Sequence, residues 1–240
     1  MKLFLLALPL TLFAGQAFGQ QIEFSGRANA NYSRFSGANA VSNSTVNYNT
    51  SSSGEESRTT NPFGNKYGWG AGASVRAQRV SKMGLLTAFD LGYDWMNSRT
   101  NINYIYYNNS GTSNSRAATG ITHLYTQTIS AFVGVGWRLG GEKMALDALV
   151  GPELAYVLTA REKGEGSSDV NGGWHTNLTR STDNSLDFRL RGDLTLWRGN
   201  VGLTGSYAYG FTNYEPATTS IANPEAYARI FRVGLAYRFK

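Results

Sequence analysis

Between Leu186 and Trp197 the chain reads LDFRLRGDLTLW. Leu186, Phe188, Leu190, Leu194 and Leu196 share one parity, and Asp187, Arg189, Arg191 and Asp193 share the other. Successive side chains of an extended strand point to opposite faces, so this segment is a strand with one apolar and one charged face. The same period-two alternation recurs in eight runs: 21–35, 67–78, 84–96, 122–138, 144–160, 185–197, 201–212 and 225–239. Each reaches the ~9–11 residues that a tilted strand needs to cross a bilayer. The 28 glycines, with 14 tyrosines, 12 phenylalanines and 5 tryptophans, fit short strands and turns rather than helices.

The links between runs alternate in length. Those at 79–83, 139–143 and 198–200 are short; those at 36–66, 97–121, 161–184 and 213–224 are long and polar. In an up-and-down arrangement this puts every long link at one end, as in outer-membrane barrels. The long segment SGANAVSNSTVNYNTSSSGEESRTTN carries almost no apolar mass, so it is expected to lack a core and to be mobile.

The first residues, MKLFLLALPLTLFAGQAFG, place Lys2 before an apolar run and a small-x-small site, the pattern of a signal peptide over 1–19. Beyond residue 20 no stretch of ~18 apolar residues occurs, so a membrane-embedded form of this chain would cross by strands. The domain expected is then 20–240. With no cysteine, disulfides and thiolate metal centres are excluded; with two histidines a histidine metal centre is not expected, nor is a cofactor. The formal charge of +6 does not indicate nucleic acid, because the arginines follow strand spacing rather than a patch.

Alternation alone does not say which face is hidden. Charges of both signs, Arg27, Arg76, Asp90, Asp94, Asp147, Glu153, Asp187, Arg189, Arg191, Asp193 and Arg232, lie on the polar parity among small residues, which suits a crowded lumen where charges pair. Threaded up and down, Tyr32, Tyr67, Trp69, Tyr93, Trp95, Tyr125, Tyr156, Tyr209, Phe211 and Tyr227 fall near the end with long links. Phe24, Trp137, Tyr237 and Phe239 fall near the other. Two aromatic belts with aliphatic residues between them are the expected anchors at a membrane interface. Pro152 breaks the pattern of the fifth run; a bulge at Gly151-Pro152 is expected to absorb its missing N–H.

The closing strand, RVGLAYRFK, carries Arg232, Gly234, Tyr237 and Phe239 in the order polar, Gly, aromatic, aromatic. This resembles the C-terminal insertion signal of outer-membrane barrels, with Lys240 as a departure from an aromatic last residue. With ALVGPELAYVLTAR (148–161), the run of Asp187, Phe188 and Gly192, and SYAYGFTN (206–213), the chain resembles the outer-membrane β-barrel domain family of PorT-like and OmpA/OmpX-type small barrels. The resemblance implies architecture and outer-membrane location, not a particular activity.

The fold expected is therefore all-β: an eight-stranded antiparallel up-and-down transmembrane barrel with four long external loops and short periplasmic turns. Neither His123 nor His175 is spaced with a nucleophile and an acid, so no catalytic residue is assigned. The loop NINYIYYNN offers Tyr104, Tyr106 and Tyr107 as contact residues, since tyrosine buries a large area at low entropic cost. A simple water-exposed extension of the hairpin accounts for the same residues. The function expected is structural or surface-interacting and non-enzymatic, with a lumen plugged by paired charges. The partners would be outer-membrane lipids, the barrel-assembly machinery, and an external glycan or protein, for a monomer that binds no nucleic acid. A lipid-modifying barrel enzyme and a soluble exported ligand-binding barrel are the alternatives.

Overall fold

The computed structural model describes residues 21–51, 54–109, 112–141, 143–169, 172–181, 185–215 and 225–239. The leader 1–19 and Lys240 lie outside them. The described residues form strands and turns without a helix: β1 (Gln21–Ser36), β2 (Asn43–Ser51), β3 (Gly54–Thr59), β4 (Lys66–Val80), β5 (Leu85–Asn109), β6 (Thr112–Gly140), β7 (Met144–Ser168), β8 (Gly172–Arg180), β9 (Leu186–Arg198), β10 (Val201–Gly210) and β11 (Tyr227–Phe239). No helix long and apolar enough to cross a membrane therefore occurs among them.

Eight of these strands close into a ring. Antiparallel ladders join β1 to β4, β4 to β5, β5 to β6, β6 to β7, β7 to β9, β9 to β10, β10 to β11 and β11 back to β1. Closure leaves these strands no free edge in the ring. The ring is closed by Phe24 opposite Phe239 at one end and Ser36 opposite Tyr227 at the other. The eight alternating runs of the sequence are these eight strands.

The turns between β4 and β5, β6 and β7, and β9 and β10 are short and share one end. The tightest is a two-residue hairpin at Gly199-Asn200, since Arg198 pairs Val201. Gly199 takes φ +61°, a conformation that hairpin turns require and side chains resist.

At the opposite end the structure departs from the sequence expectation. The segment 36–66, expected to be a mobile loop without a core, holds the β2–β3 hairpin, and β2 runs parallel to β5 from Asn43–Asn101 to Asn49–Asn108. The segment 97–121 continues the β5–β6 ladder to Asn109–Thr112. The segment 161–184 continues β7 and adds β8. Together β3, β2, β5, β6, β7 and β8 form a cap above the ring. Its core is Val46, Ile102, Ile105, Ala118 and Trp174, all buried. A few apolar residues suffice because four strands, β2, β5, β6 and β8, supply them to one point.

Pro152 is accommodated differently from the bulge expected. Its pairing with Leu190 of β9 is in unbroken register, and the β6–β7 register is the same on both sides of it, from Phe132–Glu153 to Val135–Val150. The ladder omits the rungs between, so the missing N–H costs bonds rather than register. The β6–β7 irregularity lies instead at Gln127/Thr128.

Candidate functional site

The ring sorts its side chains by parity. Along β9 odd and even positions alternate strictly between buried and exposed, and β10 alternates likewise save for the half-buried Gly205. All eleven charged residues singled out by parity are buried: Arg27, Arg76, Asp90, Asp94, Asp147, Glu153, Asp187, Arg189, Arg191, Asp193 and Arg232. The interior they share is a stack of ionic and apolar layers.

In the middle layer, Arg76 donates through Nε to Asp90 Oδ1 at 2.6 Å and through Nη1 to Asp193 Oδ1 at 3.0 Å. Arg27 reaches Asp193 at 2.9 Å, and Arg191 reaches Asp193 at 2.5 Å and Glu153 at 3.2 Å. Glu153 also accepts from Arg189 at 3.0 Å and from Arg232 at 3.1 Å. Arg232 continues to Asp94 at 2.7 Å, and Arg189 to Asp187 at 2.5 Å. Each carboxylate that faces two or three guanidinium groups spreads its charge over them, so desolvation is offset by several charge-assisted bonds at once.

A second ionic layer lies near the short turns, built around Asp147 of the eleven. Arg138 donates to Glu23 Oε1 at 2.8 Å and to Asp147 Oδ1 at 2.6 Å. Trp197 Nε1 donates to Asp147 at 2.8 Å, and Arg238 pairs Glu23 at 3.2 Å while lying 4.2 Å over the Trp197 ring. Glu23 shares the parity of Arg27, and Arg138 that of Ser130, so alternation contained the signal. Adding Glu23, Arg138 and Arg238 to the eleven makes seven arginines against seven carboxylates, a neutral interior set.

Apolar side chains complete the filling. Leu86, Ala88, Phe132 and Leu149 form a buried cluster inside the ring, with the Arg191 guanidinium 4.5 Å over Phe132. At the cap end Phe35, Phe63, Leu124, Val157, Tyr214 and their neighbours close a second cluster. Tyr214, in a segment read as polar loop, is buried and donates to Asp187 at 2.8 Å. The cavity beside Arg27, Asp94, Arg191 and Arg232 has a volume of about 20 Å³, room for about one water.

In the cap, the buried Glu162 accepts from Thr59 N at 2.9 Å, Thr59 Oγ1 at 2.5 Å, Thr176 Oγ1 at 3.2 Å and Arg180 Nε at 2.6 Å. Ser57 Oγ donates to the His175 carbonyl and Thr176 Oγ1 to the Ser57 carbonyl. These bonds join β3 to β8, so the two edges of the cap sheet meet around one carboxylate.

The remaining candidates are placed as follows. On β11, Tyr237 and Phe239 point outward, with rings 5.9 Å apart. Gly234 lies against β1 so closely that a Cβ would come within 2.1 Å of the Ala28 carbonyl oxygen. Arg232 of the same motif belongs to the interior network. The three loop tyrosines do not share a face. Tyr104 and Tyr106 are exposed, whereas Tyr107 turns inward, packs 5.4 Å from Tyr48 and bonds Ser168 Oγ at 2.9 Å. Tyr107, half-buried, thus packs within the cap, while Tyr104 and Tyr106 face out.

His123 bonds Asn97 Oδ1 through Nδ1 at 3.1 Å and stacks on Tyr125. His175 is exposed on β8. Neither imidazole bonds to a serine or a carboxylate in the hydrogen bonds seen among the described residues; the Ser57 bond goes to the His175 main-chain carbonyl.

No family model and no curated protein sequence matches the chain. The resemblance to PorT-like barrels therefore has no family match behind it. Among solved structures the chain is similar to Neisserial surface protein A, at 14% identity over 90% of this chain and 97% of that one, with a TM-score of 0.36. It is also similar to the translocator domain of the autotransporter NalP from Neisseria meningitidis, at 10% identity over 98% and 94%, with a TM-score of 0.22. At these scores the likenesses carry no argument, and function is argued from the geometry of the chain itself.

Proposed function

We propose that the chain is a non-enzymatic outer-membrane β-barrel, exported by its 1–19 leader, whose plugged interior makes it a rigid stalk for an external cap. The observation that carries this reading is the outer face of the ring. Leu91, Val133, Val150, Leu190, Leu203 and Leu235 all expose between 37% and 61% of their surface there, while the charges of the same strands are inside. Exposed apolar surface of this extent, continuous around a ring, fits lipid as its solvent.

Aromatic residues border it at both ends. Trp69, Tyr93, Trp95, Tyr156, Tyr209 and Phe211 are exposed toward the cap; Phe24, Trp137, Tyr237 and Phe239 are exposed toward the short turns. Trp95 and Tyr125 stack with ring centroids 5.3 Å apart. Such belts suit the two headgroup regions, with the short turns in the periplasm and the cap outside the cell.

The neutral ionic interior and the single-water cavity support a structural plug over a conducting path. The cap, with Tyr104 and Tyr106 on its surface, is the part able to meet an external glycan or protein. Cell fractionation tests the reading. The mature protein should sediment with the outer membrane and require detergent for release; recovery as a soluble periplasmic protein would overturn it.

A further inference from the structure

The outward face changes character just above the upper aromatic belt along β5 to β7. On β1, Arg34 stands two residues beyond Tyr32, with its guanidinium 4.9 Å over the Tyr67 ring. On β5, Arg99 stands four residues beyond Trp95 and is exposed, its Nε donating to the Tyr67 carbonyl at 2.7 Å. The ladders carry this level across the sheet: Arg99 pairs His123 of β6, and His123 pairs Lys163 of β7. Arg161, two residues closer to the ring, is exposed and pairs Tyr125. Leu186 of β9 pairs Tyr156 of β7, so β9 ends at belt level, and Tyr209 of β10 pairs Arg229 of β11. Arg229 of β11 is already committed to the Gly210 and Ala228 carbonyls and covered by Tyr209.

Among the described residues Arg34, Arg99, Arg161 and Lys163 have no anionic partner. The contrast with the seven paired arginines inside is sharp, because the same fold neutralises every arginine it buries in the lumen. Between β6, β7 and β8 the surface dips into an open cleft of about 700 Å³ lined by Ile121, His123, Tyr125, Lys163, Glu165 and His175. Glu165 is the acidic residue of this lining. It pairs Ile121 and His175 one outward step farther from the belt, so the part of the cleft nearest the membrane is basic and aromatic.

We infer that the arc of Arg99, Arg161 and Lys163, with Arg34 at its flank, is a binding site for the phosphate-bearing headgroups of anionic lipids in the surrounding leaflet. The inference rests on the membrane reading above. Long cationic side chains beside an aromatic belt place their charge at headgroup height while their stems stay against apolar surface. Guanidinium groups match phosphate oxygens in geometry as well as charge. The apolar floor of the cleft, Ile121 and Tyr125, suits the glycerol and upper acyl segments that accompany a headgroup. The arc runs along β5 to β7, so lipid headgroups are held there.

The test uses the full chain in phosphatidylcholine vesicles containing trace spin-labelled phosphatidylglycerol or spin-labelled phosphatidylcholine. The motionally restricted fraction reports lipid at the protein surface. The parent should favour phosphatidylglycerol by about threefold, and Arg99→Gln/Arg161→Gln/Lys163→Gln should bring the preference close to one. Lys82→Gln/Lys143→Gln, at the short-turn end, should keep it. Added inorganic phosphate at the concentration of the labelled lipid should not displace the restricted phosphatidylglycerol. Equal preference in parent and triple variant, equal loss in the Lys82/Lys143 variant, or displacement by inorganic phosphate would each overturn the inference. Restricted lipid without any preference sinks the inference alone, whereas the absence of restricted lipid sinks the membrane reading with it.

Discussion

Replacing Arg191 by leucine tests whether the interior charges act as a connected network. Arg191 bridges Asp193 at 2.5 Å, Asp90 at 3.1 Å and Glu153 at 3.2 Å. Removing one partner of a buried pair typically costs about 3–5 kcal/mol, because the other charge stays buried and unmatched. Here each carboxylate keeps other arginines: Asp193 keeps Arg27 and Arg76, Asp90 keeps Arg76, and Glu153 keeps Arg189 and Arg232. Leucine also retains contact with Phe132. The loss should therefore lie at the low end, about 3 kcal/mol. Glu153→Leu, which leaves Arg189, Arg191 and Arg232 facing one another, should reach the high end, about 5 kcal/mol. The double variant Arg191→Leu/Asp193→Leu removes one charge of each sign and should be more stable than the sum of the singles by about 1–3 kcal/mol. Urea unfolding of the protein folded in vesicles measures all three. A loss below about 1 kcal/mol for Arg191→Leu, or strict additivity in the double variant, would refute a coupled network.

Deleting 237–240 removes the rungs Gly26–Tyr237 and Phe24–Phe239 that close the ring and should abolish assembly, measured as loss of the heat-modifiable band in the membrane fraction, while deletion of Lys240 alone should be tolerated. Trp174→Ala should cost about 3–5 kcal/mol of local cap stability; limited proteolysis should then cut in the cap while the ring stays intact, and simultaneous loss of both would mean that they fold as one unit. Replacing Tyr104 and Tyr106 with serine should leave insertion and heat resistance unchanged and reduce adhesion of whole cells; unaltered adhesion would assign both residues to the hairpin extension alone. Replacing His123 and His175 together should leave the lipid composition of the host membrane unchanged, and loss of a lipid modification would point to an enzyme. The unmutated protein in a planar bilayer should show no large steady conductance, since the interior cavity holds about one water.

The ring was legible in the sequence because lipid-facing and interior residues alternate with a fixed period. Parity alone placed Arg27, Glu153, Arg189 and Asp193 together on one face, though they are far apart in the chain. The cap was not legible. Its strands, such as STVNYNT, alternate between polar residues and one or two apolar ones, so Val46 and Tyr48 carry the whole signal of β2. The parallel pairing of β2 with β5 and the meeting of β3 with β8 around Glu162 are long-range events that composition does not foreshadow. Within the ring, Phe132 and Trp197 were hidden by their own hydrophobicity: both sit on the interior parity, where apolar residues fill space rather than meet lipid. Tyr214 was missed for a related reason, since a lone tyrosine in a polar segment gives no period to read.

The central claim is that the outer face of the ring meets lipid, and the absence of cysteine from the chain makes it directly measurable. Single cysteines at successive positions 201–208 of β10, each carrying a nitroxide, report collision with oxygen, which partitions into lipid, and with a water-soluble nickel chelate. The account predicts a period of two: high oxygen and low nickel accessibility at Val201→Cys, Leu203→Cys and Tyr207→Cys, and low accessibility to both at Gly202→Cys, Thr204→Cys and Ser206→Cys, which lie inside. High nickel accessibility at Leu203→Cys in the reconstituted protein would contradict it.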